Sequence, residues 1–254
     1  VKKIPVSLQL YSLREEAKKY GYIEILRKVS EYGYPAVEFA GFYEKKPAEI
    51  RKALDDFCLK VSSCHGAVPK SDNIAAIVDA AKELGCRWHV TGFGPDSFTS
   101  EDDCKKNAAI LQEGAAALKK EGIGLAMHNH WWEFDKKFNG KYPHQIVMDA
   151  APDVYAQLDT YWTAVGGANV PEIIRQISKR IPLLHIKDGP INREQPMTAA
   201  GEGKMDFPKI INAANENVLE WLIVELDRCA TDMFEAVRKS ISYLVNNGFG
   251  RARD

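Results

Sequence analysis

Eight short β-rich runs recur along the chain, each trailed by a helix-period pattern, and this repeat restricts the fold more than any single motif does. The runs are PVSLQLY, PAVEFAG, KVSSCHG, RWHVTGF, IGLAMHN, VYAQLDT, PLLHIKD and WLIVELD. Between them apolar residues return on one helix face: Tyr22, Leu26 and Val29, then Cys104, Ala108, Leu111, Ala115 and Leu118, and later Met233, Val237, Ile241 and Leu244. Strand-then-helix alternation implies parallel strands, because each helix carries the chain back to the start of the next strand. Eight such units within 254 residues, with no Pro/Gly/Ser-rich linker, predict an α/β fold, a closed (β/α)8 TIM barrel forming a single domain over residues 1–254. A doubly wound open sheet is the competing arrangement. It ordinarily carries a glycine-rich phosphate turn after its first strand, and LQLYSLREE has none.

A formal net charge of −1 and the lack of any basic run argue against nucleic acid as a partner. No stretch reaches the roughly 18 to 20 apolar residues that cross a bilayer, so no membrane association is expected. The five cysteines lack CxxC spacing and read as reduced core residues. The expected location is the cytoplasm, with export behind a cleaved signal left open because the chain begins at Val1. Self-association into a homo-oligomer is left open as well.

In a barrel, side chains at the C-terminal ends of the strands converge on one mouth while the lower layers are packed shut. Read in order, those positions hold Gln9 and Tyr11, Glu38, His65, Thr91, the cluster from His128 to Glu133, Asp159, His185 with Lys187 and Asp188, and Glu225. Ionisable groups on apolar strands are costly to bury unless paired or bound to a cation. Glu133, Asp159, His185 and Glu225 therefore form a candidate ligand set for one divalent metal ion, with manganese, magnesium, cobalt or zinc suited to its oxygen and nitrogen donors. An acid at the end of a strand can instead cap the following helix, which is the competing explanation for Asp159 and Glu225.

The phrases SLQLYSLRE, HNHWWEF, QLDTYW, LLHIKDG, GEGKMDF and IVELD, in this order along nearly the whole chain, resemble the xylose isomerase-like TIM-barrel superfamily and, more narrowly, its sugar phosphate isomerase/epimerase branch. The resemblance implies a single divalent metal held by Glu, Asp, His and Glu at the barrel mouth, and a sugar or keto-sugar as the small-molecule substrate. Relatives place the fifth-strand Glu at the strand end, whereas here His128 and His130 stand there and Glu133 follows a short turn. Glu133 is taken as the ligand, with His130 as its alternative. Some relatives, including apurinic endonucleases, carry Asp-x-x-His at the sixth strand. Here Asp159 is followed by Thr160, Tyr161 and Trp162, which disfavours a three-zinc phosphodiesterase site.

The expected activity is metal-dependent isomerisation or epimerisation of a sugar or keto-sugar through a metal-stabilised enediolate. The same intermediate can expel a leaving group, so a lyase or dehydratase acting on keto-sugars or keto-glycosides is the alternative, and a non-catalytic sugar-binding subunit is the third. The candidate catalytic residues are His65, His130, Lys187 and Glu38, with Lys187 steadying an enolate or alkoxide oxygen. Gln9, Tyr11, His128, Trp131, Trp162 and Glu202 are the candidate substrate-binding residues, the last from a glycine-flanked loop. His89 is expected to be structural and His144 to lie on the surface. The mouth lacks clustered arginines, so an unphosphorylated substrate is expected.

Overall fold

A computed structural model describes residues 3–41 and 45–253. Eight parallel strands form a closed barrel: β1 (Ile4–Gln9), β2 (Ala36–Ala40), β3 (Lys60–His65), β4 (Trp88–Thr91), β5 (Gly124–His128), β6 (Tyr155–Asp159), β7 (Leu183–Ile186) and β8 (Trp221–Val224). Each pairs with its sequence neighbour, and β1 closes the ring by pairing with both β8 and β2. A two-residue strand, β9 (Gly250–Arg251), pairs with the N-terminal end of β1 at Ile4 and Pro5. The result is a single-domain (β/α)8 barrel, with one strand in each of the eight runs picked out in the sequence.

The helices form where the sequence patterns put them. Ser100 accepts the Asp103 amide at 3.1 Å to cap helix Glu101–Lys119, whose first turn is acidic and whose last carries Lys119, as the helix dipole favours. Its apolar stripe, Cys104, Ala108, Leu111, Ala115 and Leu118, is buried against the barrel. Truncating a buried anchor such as Leu111 to Ala would cost about 2–5 kcal/mol.

Inside the barrel, Trp88, Val90, Ala126, Leu183 and Ile223 form a separate apolar cluster. Gly124 is required there: a Cβ would meet the Trp88 ring at 2.2 Å. Registers place polar side chains above this floor. Gln9 lies level with Glu38, and Glu38 with Ser63 after a bulge between Val37 and Glu38; His128 pairs with Gln157, and Asp159 with His185.

Two expectations fail here. His144 is buried, not on the surface, with its ring stacked on Phe134 at 5.0 Å. Of the five free cysteines only Cys86 and Cys104 are buried, and Cys58 is exposed at a positive φ of 54°. His89 is structural as expected, its Nε2 2.8 Å from the Ala67 carbonyl. Among the described residues, no helix is long and apolar enough to cross a membrane.

Candidate metal centre

Four buried side chains at the barrel mouth, His128, Asp159, His185 and Glu225, each offer a ligand atom, and these atoms lie within 4.8 Å of one another. Asp159 divides its carboxylate between two tasks. Its Oδ1 accepts the Trp162 amide at 2.8 Å and caps helix Thr160–Val165, while Oδ2 is buried without a hydrogen-bond partner. Lys187 Nζ stands 3.0 Å from Oδ2 as an ion pair without hydrogen-bond alignment. A buried carboxylate oxygen with an ion pair but no hydrogen bond keeps a lone pair free for a further cation. The residues present therefore fit a divalent ion, held by two imidazoles and two carboxylates.

The fifth-strand ligand expected at Glu133 is not in this group; His128 stands in its place. Asn129, fully buried, accepts the Asp159 amide at 2.9 Å through Oδ1 and donates from Nδ2 to Thr163 Oγ1 at 3.1 Å. These bonds pin the end of β5 to the end of β6, so the strand delivers His128 to the mouth and then turns. Glu133 folds back on that turn, its Oε2 accepting the His130 amide at 2.9 Å. Burial pushes its carboxyl up to about 8. His130, the alternative fifth-strand ligand, lies outside the group too, with its ring stacked on Trp132 at 4.1 Å and 12°. Accordingly, His128→Ala should strip a bound divalent ion from folded protein, whereas Glu133→Gln should retain it. Elemental analysis of the two variants decides between them, and metal loss in Glu133→Gln alone would restore Glu133 as the ligand.

Glu38, expected as a catalytic carboxylate, is fully buried beneath the ligands, not open to the mouth. Gln9 Nε2, Ser63 Oγ and Gln157 Nε2 all donate to it, and His185 Nε2 stands 3.1 Å away. Gln9, expected to bind substrate, is also buried, with its amide carbonyl taken by the Tyr11 amide at 3.0 Å. Lys187 shares the inward side of β7 with His185 but is only 1% exposed. Its ammonium lies 2.7 Å from Glu225, 3.0 Å from Asp159 and 2.8 Å from Asp227, the last an aligned hydrogen bond. It is thus a counter-ion to the candidate ligand carboxylates.

Burial acts against every charge here, and the neighbours decide which survive. It holds His128 well below the usual imidazole range, with His185 adding to the effect, so His128 is neutral. Burial would lower His185 as well, yet Glu38 and Glu225 outweigh it and push the imidazole up to about 10. Burial raises the Glu225 carboxyl, but Lys187 and His185 more than reverse that and hold it well below the carboxylate range. Asp159 is raised, by burial above all. Four carboxylates, Glu38, Asp159, Glu225 and Asp227, face one ammonium and one imidazolium, an imbalance that favours a divalent cation.

Around the opening, His65 and His130 flank His128 at ring separations of 5.1 and 4.9 Å. Both are only partly buried. Trp162 lies beside Lys187, 5.5 Å from its ring, with a buried indole N–H that has no partner. Trp131 carries the Arg193 guanidinium 4.8 Å over its ring, and Tyr11 is exposed on the opposite rim beneath Arg14. Glu202 does not face the ligands; it pairs with Lys239 at 2.8 Å in solvent. Its loop is held by Asp188, whose carboxylate accepts the amides of Gly189, Gly201, Gly203 and Met205 at 2.8 to 3.1 Å. Asn129, Gln157 and Asp227 were not singled out from the sequence, where amides and a loop acid carry no periodic signal.

The xylose isomerase-like TIM barrel family model matches residues 26–246. The crystal structure of a sugar phosphate isomerase/epimerase from Parabacteroides distasonis ATCC 8503 is similar over 99% of this chain and 96% of its own, at 28% identity and a TM-score of 0.79. A second such structure from that organism is 25% identical, over 98% of this chain and 100% of its own, with a TM-score of 0.83. Rhizopine catabolism protein MocC of Rhizobium meliloti is 23% identical, in an alignment that covers 81% of this chain and 74% of the relative.

Proposed function

Because the chain belongs to the xylose isomerase-like TIM barrel family, we propose that it is a divalent-metal-dependent isomerase or epimerase that moves a proton beside the carbonyl of a sugar or keto-sugar. The observation that carries this reading is the buried group of four ligand atoms, with an Asp159 oxygen that accepts no hydrogen bond, beside two further and partly exposed histidines. His128, Asp159, His185 and Glu225 would hold the ion. When bound, it supplies a Lewis acid that polarises neighbouring substrate oxygens.

The protein's own groups do the rest. Lys187 favours the ionised form of Asp159 and Glu225 by standing within 3.0 Å of both. Trp131 and Trp162 offer apolar faces to the C–H side of a sugar, and the Trp162 indole N–H offers a donor. His130, braced against Trp132, and His65, on the other side of His128, take a proton from the carbon beside the carbonyl and return it. Return to the same carbon gives the epimer, and return to the neighbouring carbon gives the isomer.

The test is a keto-sugar panel with manganese-loaded protein in deuterated water, followed by NMR. Deuterium should enter the carbon next to the carbonyl with the carbon skeleton intact. A new alkene or a released alcohol would replace this reading with the lyase or dehydratase one. Saturable binding without exchange would leave a sugar-binding subunit.

A further inference from the structure

Beneath the candidate ligands lies a layer of polar side chains whose hydrogen bonds have only one consistent direction. We propose that Glu38 is a positioning residue that turns a lone pair of each imidazole toward the ion, at His185 directly and at His128 through the amide of Gln157, giving a two-imidazole, two-carboxylate centre that prefers manganese, cobalt or zinc to magnesium. This rests on the ligand assignment in the proposed function.

An ionised carboxylate only accepts hydrogen bonds. His185 Nε2, 3.1 Å from Glu38 Oε1, therefore carries a proton. The other nitrogen, Nδ1, 2.9 Å from Glu225 and 3.9 Å from Asp159, carries the imidazolium's second proton and is the one that would release it to an ion held by those two carboxylates. Gln157 Nε2 also points at Glu38, so its amide must present NH2 to the carboxylate and its carbonyl to the other side. That carbonyl oxygen is 2.9 Å from His128 Nδ1. A carbonyl only accepts, so Nδ1 holds the proton of the neutral ring, and Nε2 keeps its lone pair 4.0 Å from Asp159 Oδ2. Gln9 Nε2 and Ser63 Oγ donate to Glu38 as well, so each of these neighbours meets it as an acceptor.

The chain of dependence is specific. Without an acceptor at position 38, the Gln157 amide is free to turn over and His128 to take the other tautomer. Outer partners of metal-bound histidines are commonly worth about 10–100-fold in affinity. Imidazole in place of carboxylate also moves preference away from magnesium, a hard ion that favours oxygen.

The experiment titrates chelator-stripped, folded protein with Mn2+, Zn2+ and Mg2+ against a chromophoric chelator. Glu38→Gln and Gln157→Leu should each weaken Mn2+ and Zn2+ by about 10–100-fold. In a His128→Glu background, Gln157→Leu should change affinity by no more than about twofold, because a carboxylate has no tautomer to set. Nitrogen-15 NMR of the parent protein should show the Nδ1–H form of His128, and Gln157→Leu should disturb it. Wild-type affinity in Gln157→Leu, or equal losses with His128 and with Glu at that position, would overturn the proposal. Affinities that behave as expected beside a sugar panel without turnover would sink the proposed activity and leave the positioning role standing.

Discussion

Asp159→Ala and Glu225→Ala are expected to abolish tight divalent-metal binding while leaving a folded barrel. Each removes one of four donors from a group whose ligand atoms lie within 4.8 Å, and the three that remain cannot close a four-coordinate shell. The structural cost differs between the two. Asp159 also caps helix Thr160–Val165 through Oδ1, so its loss adds about 1 kcal/mol of destabilisation. Asp159→Asn separates these effects, because an asparagine oxygen still caps the helix while the charge facing Lys187 and the ion is gone. Elemental analysis beside thermal unfolding reads both properties: Asp159→Asn should melt closer to wild type than Asp159→Ala, yet bind metal as poorly. Full occupancy in Asp159→Ala or Glu225→Ala would end the claim that these residues hold a metal.

The barrel was legible because its signal is local. Each run of β-branched and apolar residues, and each stripe such as Cys104 to Leu118, carries its period within one element. That Asp159, His185 and Glu225 come together was legible for a related reason: an ionisable residue ending an apolar strand is anomalous wherever the strand stops. The fifth strand was not, because its end depends on Asn129 reaching across to the Asp159 amide and Thr163 of another βα unit. Four residues later, Glu133 falls outside the group that His128 joins because the turn swings its carboxylate onto the His130 amide. Glu38 is held by Gln9, Ser63 and, from β6, Gln157, which stands two residues before Asp159, and no property of AVEFA records those contacts. Glu202 was misplaced because Asp188 dictates the course of its loop through four backbone amides, a contact pattern invisible to composition.

Those long-range contacts also explain why the site is a unit. Asn129 couples β5 to β6, Gln157 couples His128 to Glu38, and Glu38 couples both to His185 and, through Gln9, to β1. The four candidate ligands are therefore set by a buried polar network, and such networks lose more than one bond when a member is removed.

Lys187→Met is the substitution with the largest expected effect on stability, and the effect should depend on metal. Lys187 is 1% exposed, with Glu225, Asp159 and Asp227 at 2.7, 3.0 and 2.8 Å. Methionine nearly conserves its volume but leaves three carboxylates without their ammonium. Removing one partner from a buried ion pair costs about 3–5 kcal/mol. For a chain of this size that lowers the unfolding midpoint by roughly 6–20 °C in chelator-treated protein. A divalent ion bound at Asp159 and Glu225 takes over the neutralisation, so saturating Mn2+ should recover most of the loss, and Lys187→Met should bind Mn2+ more tightly than the parent does. Asp227→Asn is the contrasting change. Its carboxylate is partly exposed, and Lys187 keeps two other partners, so both stability and metal dependence should move little. Differential scanning calorimetry of the two variants with and without Mn2+ checks the pair. If Mn2+ fails to rescue Lys187→Met, Lys187 is not the counter-ion of the ligand carboxylates. If Mn2+ restores stability but no turnover returns, the ammonium also contacts the substrate.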